Sequence, residues 1–213
     1  MTFARTKQVI VVACLLAGCG SKELQPSWQA NAAGALAAHS EAWLKGDSRV
    51  ADAEFARARL EMSSTGRFDL VAHAELYRCA TRVAALDIDG CPAFVALAPD
   101  ATAAERAYAA YLSGQWQGID AALLPEQHRA IVGPAPVLGA VADPLARLVA
   151  AGALMQAGRI APAHVDVAIQ TASDQGWRRA LLVWLGVALK RAQTAGDTAE
   201  AARLERRIAL ASH

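Results

Sequence analysis

Between positions 68 and 86 the chain reads FDLVAHAELYRCATRVAAL, and Phe68, Ala72, Leu76, Cys79, Val83 and Leu86 fall three or four residues apart throughout. Side chains at that spacing share one face of an α-helix, whereas a half-buried strand needs alternation in twos. Such a stripe obliges the chain to supply a second apolar surface that covers it. The same period runs through Trp28, Ala32, Leu36, His39 and Trp43. Alanine dominates the composition, aromatic residues make up only 6%, and β-branched residues seldom cluster. Alanine gives up no side-chain entropy on entering a helix, so composition and period agree. They predict an all-α fold of antiparallel helical hairpins.

Helix boundaries follow from the punctuation. The first helix starts at Ser27 and stops at Gly46, and Asp47 or Ser48 can cap a second over 48–62. The third covers 68–86, and further helices are expected over 101–113, 125–132, 144–157, 162–175, 177–195 and 197–211. Pro125, Pro144 and Pro162 suit first-turn positions, where the missing N–H costs nothing. The stretch VGPAPVLG, residues 132–139, is the one Gly/Pro-rich break, so the helical domain 27–213 divides there if it has two halves.

A glycine recurs between helix and partner helix in WLKGD (43–47), YLSGQ (111–115), MQAGR (155–159) and QTAGD (193–197). The residue after a helix often turns left-handed, which suits glycine. Gly114 stands 68 residues after Gly46, twice the tetratricopeptide period of about 34. Within 144–177, Ala151, Leu154, Gly158 and Ala163 fall where tetratricopeptide repeats place small and apolar contacts, so this stretch resembles that family. The spacing from Gly114 to Gly158 and on to Gly196 departs from the period. The family's Trp, Leu-Gly pair and terminal Pro do not recur together. An irregular array and a helical bundle both remain open.

The first residues have another purpose. MTFARTKQ carries Arg5 and Lys7 and no acid, and VIVVACLLAG (9–18) is apolar or small throughout. That run is about half the ~20 residues a spanning helix needs, and Lys22 and Glu23 follow it. A basic start, a short apolar middle and small residues at the end make residues 1–18 a secretory signal peptide. Leu16-Ala17-Gly18-Cys19 resembles the lipobox of bacterial lipoproteins. The resemblance implies cleavage before Cys19, a diacylglyceryl group on its thiol and acylation of the new amino group, so no cofactor beyond this covalent lipid is expected. Two or more acyl chains anchor stably, at about 0.8 kcal/mol per buried methylene. Residues 19–26 then form a lipidated tether. Gly20, where inner-membrane lipoproteins often carry aspartate, points to the outer membrane, with the domain facing the periplasm.

Charge and cysteines sharpen this placement. The net charge is +1, and removing residues 1–18 takes away Arg5 and Lys7 but no acid. A near-neutral chain lacks the electrostatic footprint of a nucleic-acid binder and any polybasic membrane patch, which leaves the lipid as the membrane contact. Cys14 leaves with the signal peptide and Cys19 carries lipid, so Cys79 and Cys91 remain as an even pair in an oxidising compartment. From Cys79 to the helix end near Asp87 is a rise of about 12 Å, and Ile88–Cys91 can return about 13 Å if the chain reverses at Gly90. A disulfide is expected, with two free buried thiols as the alternative.

No chemistry-bearing motif stands out. Asp87-Ile88-Asp89-Gly90 fails as a calcium loop, because position six is Pro92 and position twelve is Ala98. It reads as a solvated turn with capping aspartates. His39, His73, His128, His164 and His213 are scattered singly, and no zinc spacing joins them to the cysteines. There is no nucleophile elbow, P-loop or zinc-protease motif, and no catalytic or metal-binding residue is assigned. Trp116, in the polar GQWQG, is the candidate partner contact. In the last helix Leu204, Ile208 and Ala211 should face inward and Arg203, Arg206 and Arg207 outward. These features favour a non-enzymatic protein-binding or scaffold module with an envelope protein as partner. A periplasmic enzyme acting on the cell wall through a dispersed site is the alternative.

Overall fold

The computed structural model describes residues 26–212. The expected signal peptide with Cys14, the motif ending at Cys19, and residues 19–25 of the expected tether lie outside the described residues. All regular structure among the described residues is helical. The helices are α1 (Ser27–Lys45), α2 (Ser48–Ser63), α3 (Phe68–Ala84), α4 (Pro92–Val95), α5 (Ala103–Leu112), α6 (Glu126–Arg129), α7 (Pro144–Gln156), α8 (Pro162–Asp174), α9 (Arg178–Ala195) and α10 (Thr198–Ala211). Single 3-10 turns lie at Ala98–Asp100, Ala121–Leu123 and Leu138–Ala140.

Two helices make the centre. In α7, Ala146 and every residue from Leu148 to Leu154 are buried. A helix apolar on all sides must be covered on all sides, and α3, α5, α6 and α8 surround it. The closest approach is to α3: a Cβ added at Gly152 would overlap the carbonyl oxygen and side chain of Val83. α3 in turn packs on α1, α2 and α5. A satellite core of Ala32, Leu36, Phe55, Ala58 and Met62 fills the space between α1 and α2 under α3.

Hairpins form between α1 and α2, α7 and α8, and α9 and α10, as the punctuation at Gly46, Gly158 and Gly196 predicts, whereas Gly114 opens no hairpin and packs instead against the backbone of Gln156 and Ala157 at the end of α7. Gly46 and Gly196 end α1 and α9 in the left-handed conformation. Asp47 caps α2, accepting the Val50 N–H at 3.1 Å. The bundle then closes on itself, because α9 also packs against α1. Arg179 of α9 lies 4.0 Å over the Trp43 ring and donates to the Trp43 carbonyl at 2.6 Å and to Ser48 Oγ at 2.7 Å. It therefore adds a second donor to a carbonyl at the end of α1 that otherwise accepts only the Gly46 N–H, at 3.1 Å. Trp184 supplies the end of α3, its indole N–H donating at 3.0 Å to the Ala84 carbonyl, which has no backbone donor among the described residues. In an open repeat array each unit touches only its neighbours. The contact from α9 to α1 makes a closed bundle instead.

Some boundaries depart from expectation. The 125–132 helix shrinks to the single turn α6, since the Ile131 N–H bonds back to His128 in a tightened turn that buries Ile131. The turns at 92–95, 98–100, 121–123 and 138–140 are too short to show any period. The 132–139 stretch is pinned rather than loose. Arg159 donates to the carbonyls of Val132 and Gly133, His164 Nε2 donates to Pro136 at 3.3 Å, and Leu138 is buried. One hydrophobic core includes residues on both sides of this stretch. Phe68 does not join the α3 stripe and is 61% exposed. Standing at the helix start, it has helical neighbours on one side only. In α10, Leu204 is buried and Arg203 and Arg206 are exposed, while Leu210 faces solvent.

Cys79 and Cys91 come to disulfide distance, with Cα atoms 5.5 Å apart. The reversal uses Gly90 at φ +76° and Cys91 itself at φ +55°. Asp87 and Asp89 do not cap a helix. Both pair with Arg82, at 3.0 and 2.9 Å, and Asp89 also accepts the Cys91 N–H at 3.0 Å. Asp89 and the two sulfurs form the one cluster of possible metal ligands among the described residues. It is a ligand short of a structural zinc site. His73 stands elsewhere, on the cavity described below.

Gly152→Ala should destabilise the fold by about 1–3 kcal/mol, as overpacking of a tight core does. Gly34, in α1, has open space around its Cα, so Gly34→Ala should stabilise by about 0.5–1 kcal/mol. Urea unfolding of both variants checks the pair, and an unperturbed Gly152→Ala would rule out the close crossing. Thiol labelling of denatured, unreduced protein should leave Cys79 and Cys91 unmodified, and labelling of both would exclude the bridge.

Candidate functional site

Helices that cross at an angle must separate away from their crossing point. On the N-terminal side of the Val83–Gly152 contact, α3 and α7 leave a cavity of about 700 Å³. α3 contributes His73, Leu76, Tyr77 and Ala80, whose spacing places them on one face. α7 contributes Leu145, Ala146 and Val149. α5 adds Ala104, Glu105 and Tyr108, and the 121–129 segment adds Leu123, Leu124, Pro125, Gln127, His128 and Arg129. The wall is mainly apolar, as small-molecule sites usually are, and the volume lies in their usual range.

Most polar groups on this wall are committed to holding the fold. Asp143 caps α7, accepting the Ala146 N–H at 2.7 Å. Glu105 accepts the Thr102 N–H at 2.7 Å while Thr102 Oγ1 accepts the Glu105 N–H, which is a capping box. Arg129 Nε donates to the Leu124 carbonyl at 3.0 Å, and Tyr77 shares a hydrogen bond with Ser40 Oγ at 3.1 Å.

The inner end is aromatic. Tyr108 and Tyr111, three residues apart on α5, share a helix face, and their ring centroids lie 5.9 Å apart. His128 is 1% exposed, lies 5.7 Å from the Tyr108 ring and 4.9 Å from the Tyr111 ring, and its Nδ1 is 3.1 Å from the Tyr111 hydroxyl. Its Nε2 has no hydrogen-bond partner among the described residues and is not sealed from solvent, unlike the unpartnered Nε2 of His39. His128 lines the cavity, and Nε2 is the ring nitrogen that the Tyr111 bond leaves free. Tyr108 likewise lines the cavity, and its hydroxyl has no hydrogen-bond partner among the described residues. Burial pushes the His128 imidazole down to about 4, slightly offset by the negative charge of Asp143. It also drives the Tyr108 and Tyr111 phenols far above their ordinary values. At neutral pH all three side chains are uncharged.

Trp116 is turned inward. Its indole N–H donates to the Tyr111 carbonyl at 2.9 Å, one face stacks on Tyr111 at 5.5 Å, and Arg159 lies 5.1 Å over the ring. The half-buried ring leaves only part of its surface to a partner. His39 is a core histidine between α1 and α2, with Nδ1 2.8 Å from the Ala51 carbonyl. Cys19 lies outside the described residues. The sequence marks Tyr108 and Tyr111 by their spacing, but nothing local marks His128, which stands in the polar EQHRA and is buried only by tertiary packing. Glu75 is also missed: 5% exposed within the α3 stripe, it pairs with Arg59 and Arg78, each at 2.9 Å.

No known protein-family model matches the chain, and no similar curated protein or solved structure was found.

The buried imidazole makes the fold acid-labile. The folded His128 pKa of about 4 lies below the unfolded value of 6.5, so the unfolded chain takes up its proton first. Stability is complete above pH 6.5 and falls as pH drops toward 4, by about 3 kcal/mol for a shift of this size. His39, its pKa lowered mainly by burial, acts in the same direction. Urea unfolding at pH 7 and pH 5 should show about 2 kcal/mol of this loss, and His128→Gln should lessen it. An unchanged slope in that variant would exclude His128 as a source.

Proposed function

We propose that the chain is a lipid-anchored, non-enzymatic binding module of the bacterial cell envelope. Cys19 holds it at the membrane, the outer membrane's inner leaflet on the reading of Gly20, and the α3–α5–α6–α7 cavity receives its ligand. The observation that carries this reading is a cavity of about 700 Å³ whose wall has no serine, threonine, cysteine or lysine among the described residues. Covalent catalysis needs a nucleophile beside a base. Acid–base catalysis at neutral pH needs a group titrating near 7 held beside the substrate; the enclosed imidazole, His128, is held well below that, and His73 stands at the exposed rim with no hydrogen-bond partner to orient it among the described residues. The cavity's carboxylates, Asp143 and Glu105, are spent on helix caps. What remains is enclosure and hydrogen bonding, which is binding.

A second reading, a scaffold for an envelope protein, is favoured by Leu60 and Phe68. They flank the α2–α3 turn and are 70% and 61% exposed. Paired exposed apolar side chains suit a protein contact.

Two measurements test the proposal. Cys19→Ser should release the protein from membrane fractions, and continued membrane association would refute the lipid anchor. A neutral fluorescent naphthylamine should bind the chain saturably at one site. Ala104→Trp, at an exposed position on the cavity wall, should abolish that binding without altering the circular dichroism spectrum. Undiminished binding in this variant would remove the cavity from the proposal.

A further inference from the structure

The Tyr111 hydroxyl fixes the tautomer of His128. Tyr111 is fully buried, and its hydroxyl has one partner among the described residues, His128 Nδ1 at 3.1 Å. Were Nδ1 the donor, the phenol's own proton would be buried without an acceptor, an arrangement that costs more than the bond contributes. Tyr111 therefore donates to Nδ1, and the hydrogen of the neutral ring sits on Nε2. That nitrogen is the one left without a protein partner among the described residues, on a ring that lines the cavity. A buried imidazole thus has a free N–H to offer, and Tyr108, whose ring is stacked 5.7 Å away and also lines the cavity, has an O–H with no partner among the described residues.

We propose that this cavity binds a small, mainly apolar molecule carrying an uncharged carbonyl oxygen, which accepts hydrogen bonds from His128 Nε2 and the Tyr108 hydroxyl. The inference rests on the binding reading above and names the ligand's chemistry. Two donors at the inner end of an apolar wall call for an acceptor. Leu76, Ala80, Leu124, Ala146 and Val149 then cover the rest of the ligand. Charge favours the neutral carbonyl over a carboxylate. Asp143 and Glu105 border the cavity against a single cation, Arg129, whose Nε is already engaged with the Leu124 carbonyl.

The test uses the full-length chain and three probes of one skeleton: 4-phenyl-2-butanone, butylbenzene and 4-phenylbutanoate, titrated calorimetrically at pH 7. The ketone should bind tightest. Tyr108→Phe removes a hydroxyl with no partner among the described residues, so the fold should survive. It should weaken the ketone roughly fivefold to tenfold, about the worth of one hydrogen bond, and leave butylbenzene unchanged. The His128 side-chain Nε2–H resonance should shift on adding the ketone and stay put with butylbenzene. Equal binding of ketone and butylbenzene, with no effect of Tyr108→Phe, would overturn the donor pair while leaving the cavity a binding site. Tighter binding of the carboxylate than of the ketone would overturn the neutral ligand. Binding of none of the three probes would overturn both this inference and the binding reading beneath it.

Discussion

The crossing of α3 and α7 at Val83 and Gly152 is the contact on which the remaining packing depends. Only a residue without a Cβ admits the neighbouring carbonyl so closely. The approach brings two alanine-rich helices within reach of each other's backbones, and the same rigid pair must then diverge toward its N-terminal ends. The cavity is the result of that divergence. α5 and α6 span the gap, while α1, α2, α8 and α9 are drawn to the outer faces. Core and cavity are thus two consequences of one close approach.

From that gap a line of stacked groups runs toward the surface. Arg159 covers Trp116, Trp116 lies parallel to Tyr111, and Tyr111 meets both Tyr108 and His128. Arg159 also holds the carbonyls of Val132 and Gly133. The turn after α7, the 132–139 stretch and the inner wall of the cavity therefore share one set of contacts. This explains why a Gly/Pro-rich segment is rigidly held. Its carbonyls are not in helices, and arginines reaching from well-packed elements supply the donors that a buried backbone requires. Arg147 does the same for Val141, and Arg191 for Ile160.

The helices were legible because their cause is local. The α3 stripe, the caps at Asp47 and Asp143, the prolines opening α7 and α8 and the glycines closing α1 and α9 each act within a turn or two of sequence. The proximity of Cys79 and Cys91 was legible for the same reason, since twelve residues separate them. Closure of the bundle was not. It depends on Arg179 and Trp177 meeting residues more than 130 positions earlier, and no period or motif encodes that distance. The site was half legible. Tyr108 and Tyr111 announce a shared helix face, but His128 sits among polar residues in a single turn, and only the Tyr111 hydroxyl gives it a role. Trp116 was only partly legible for a related reason: its polar neighbours face solvent while its ring, half-buried, folds back over α5.

The polar inner end of the cavity runs against stability. A phenylalanine in place of Tyr108 and an apolar pair in place of Tyr111 and His128 would fill the same space without a buried imidazole to protonate in acid or a phenol to satisfy. Replacing a buried polar network by apolar groups of similar shape is often neutral or stabilising. Packing alone therefore does not account for these side chains. The Tyr111–His128 bond aligns a donor that has no partner among the described residues, beside a cavity in the core. A fold that keeps such a group uncharged, oriented and beside a cavity has the preorganisation that selective binding requires, because the cost of orienting the donor is met in folding rather than on association.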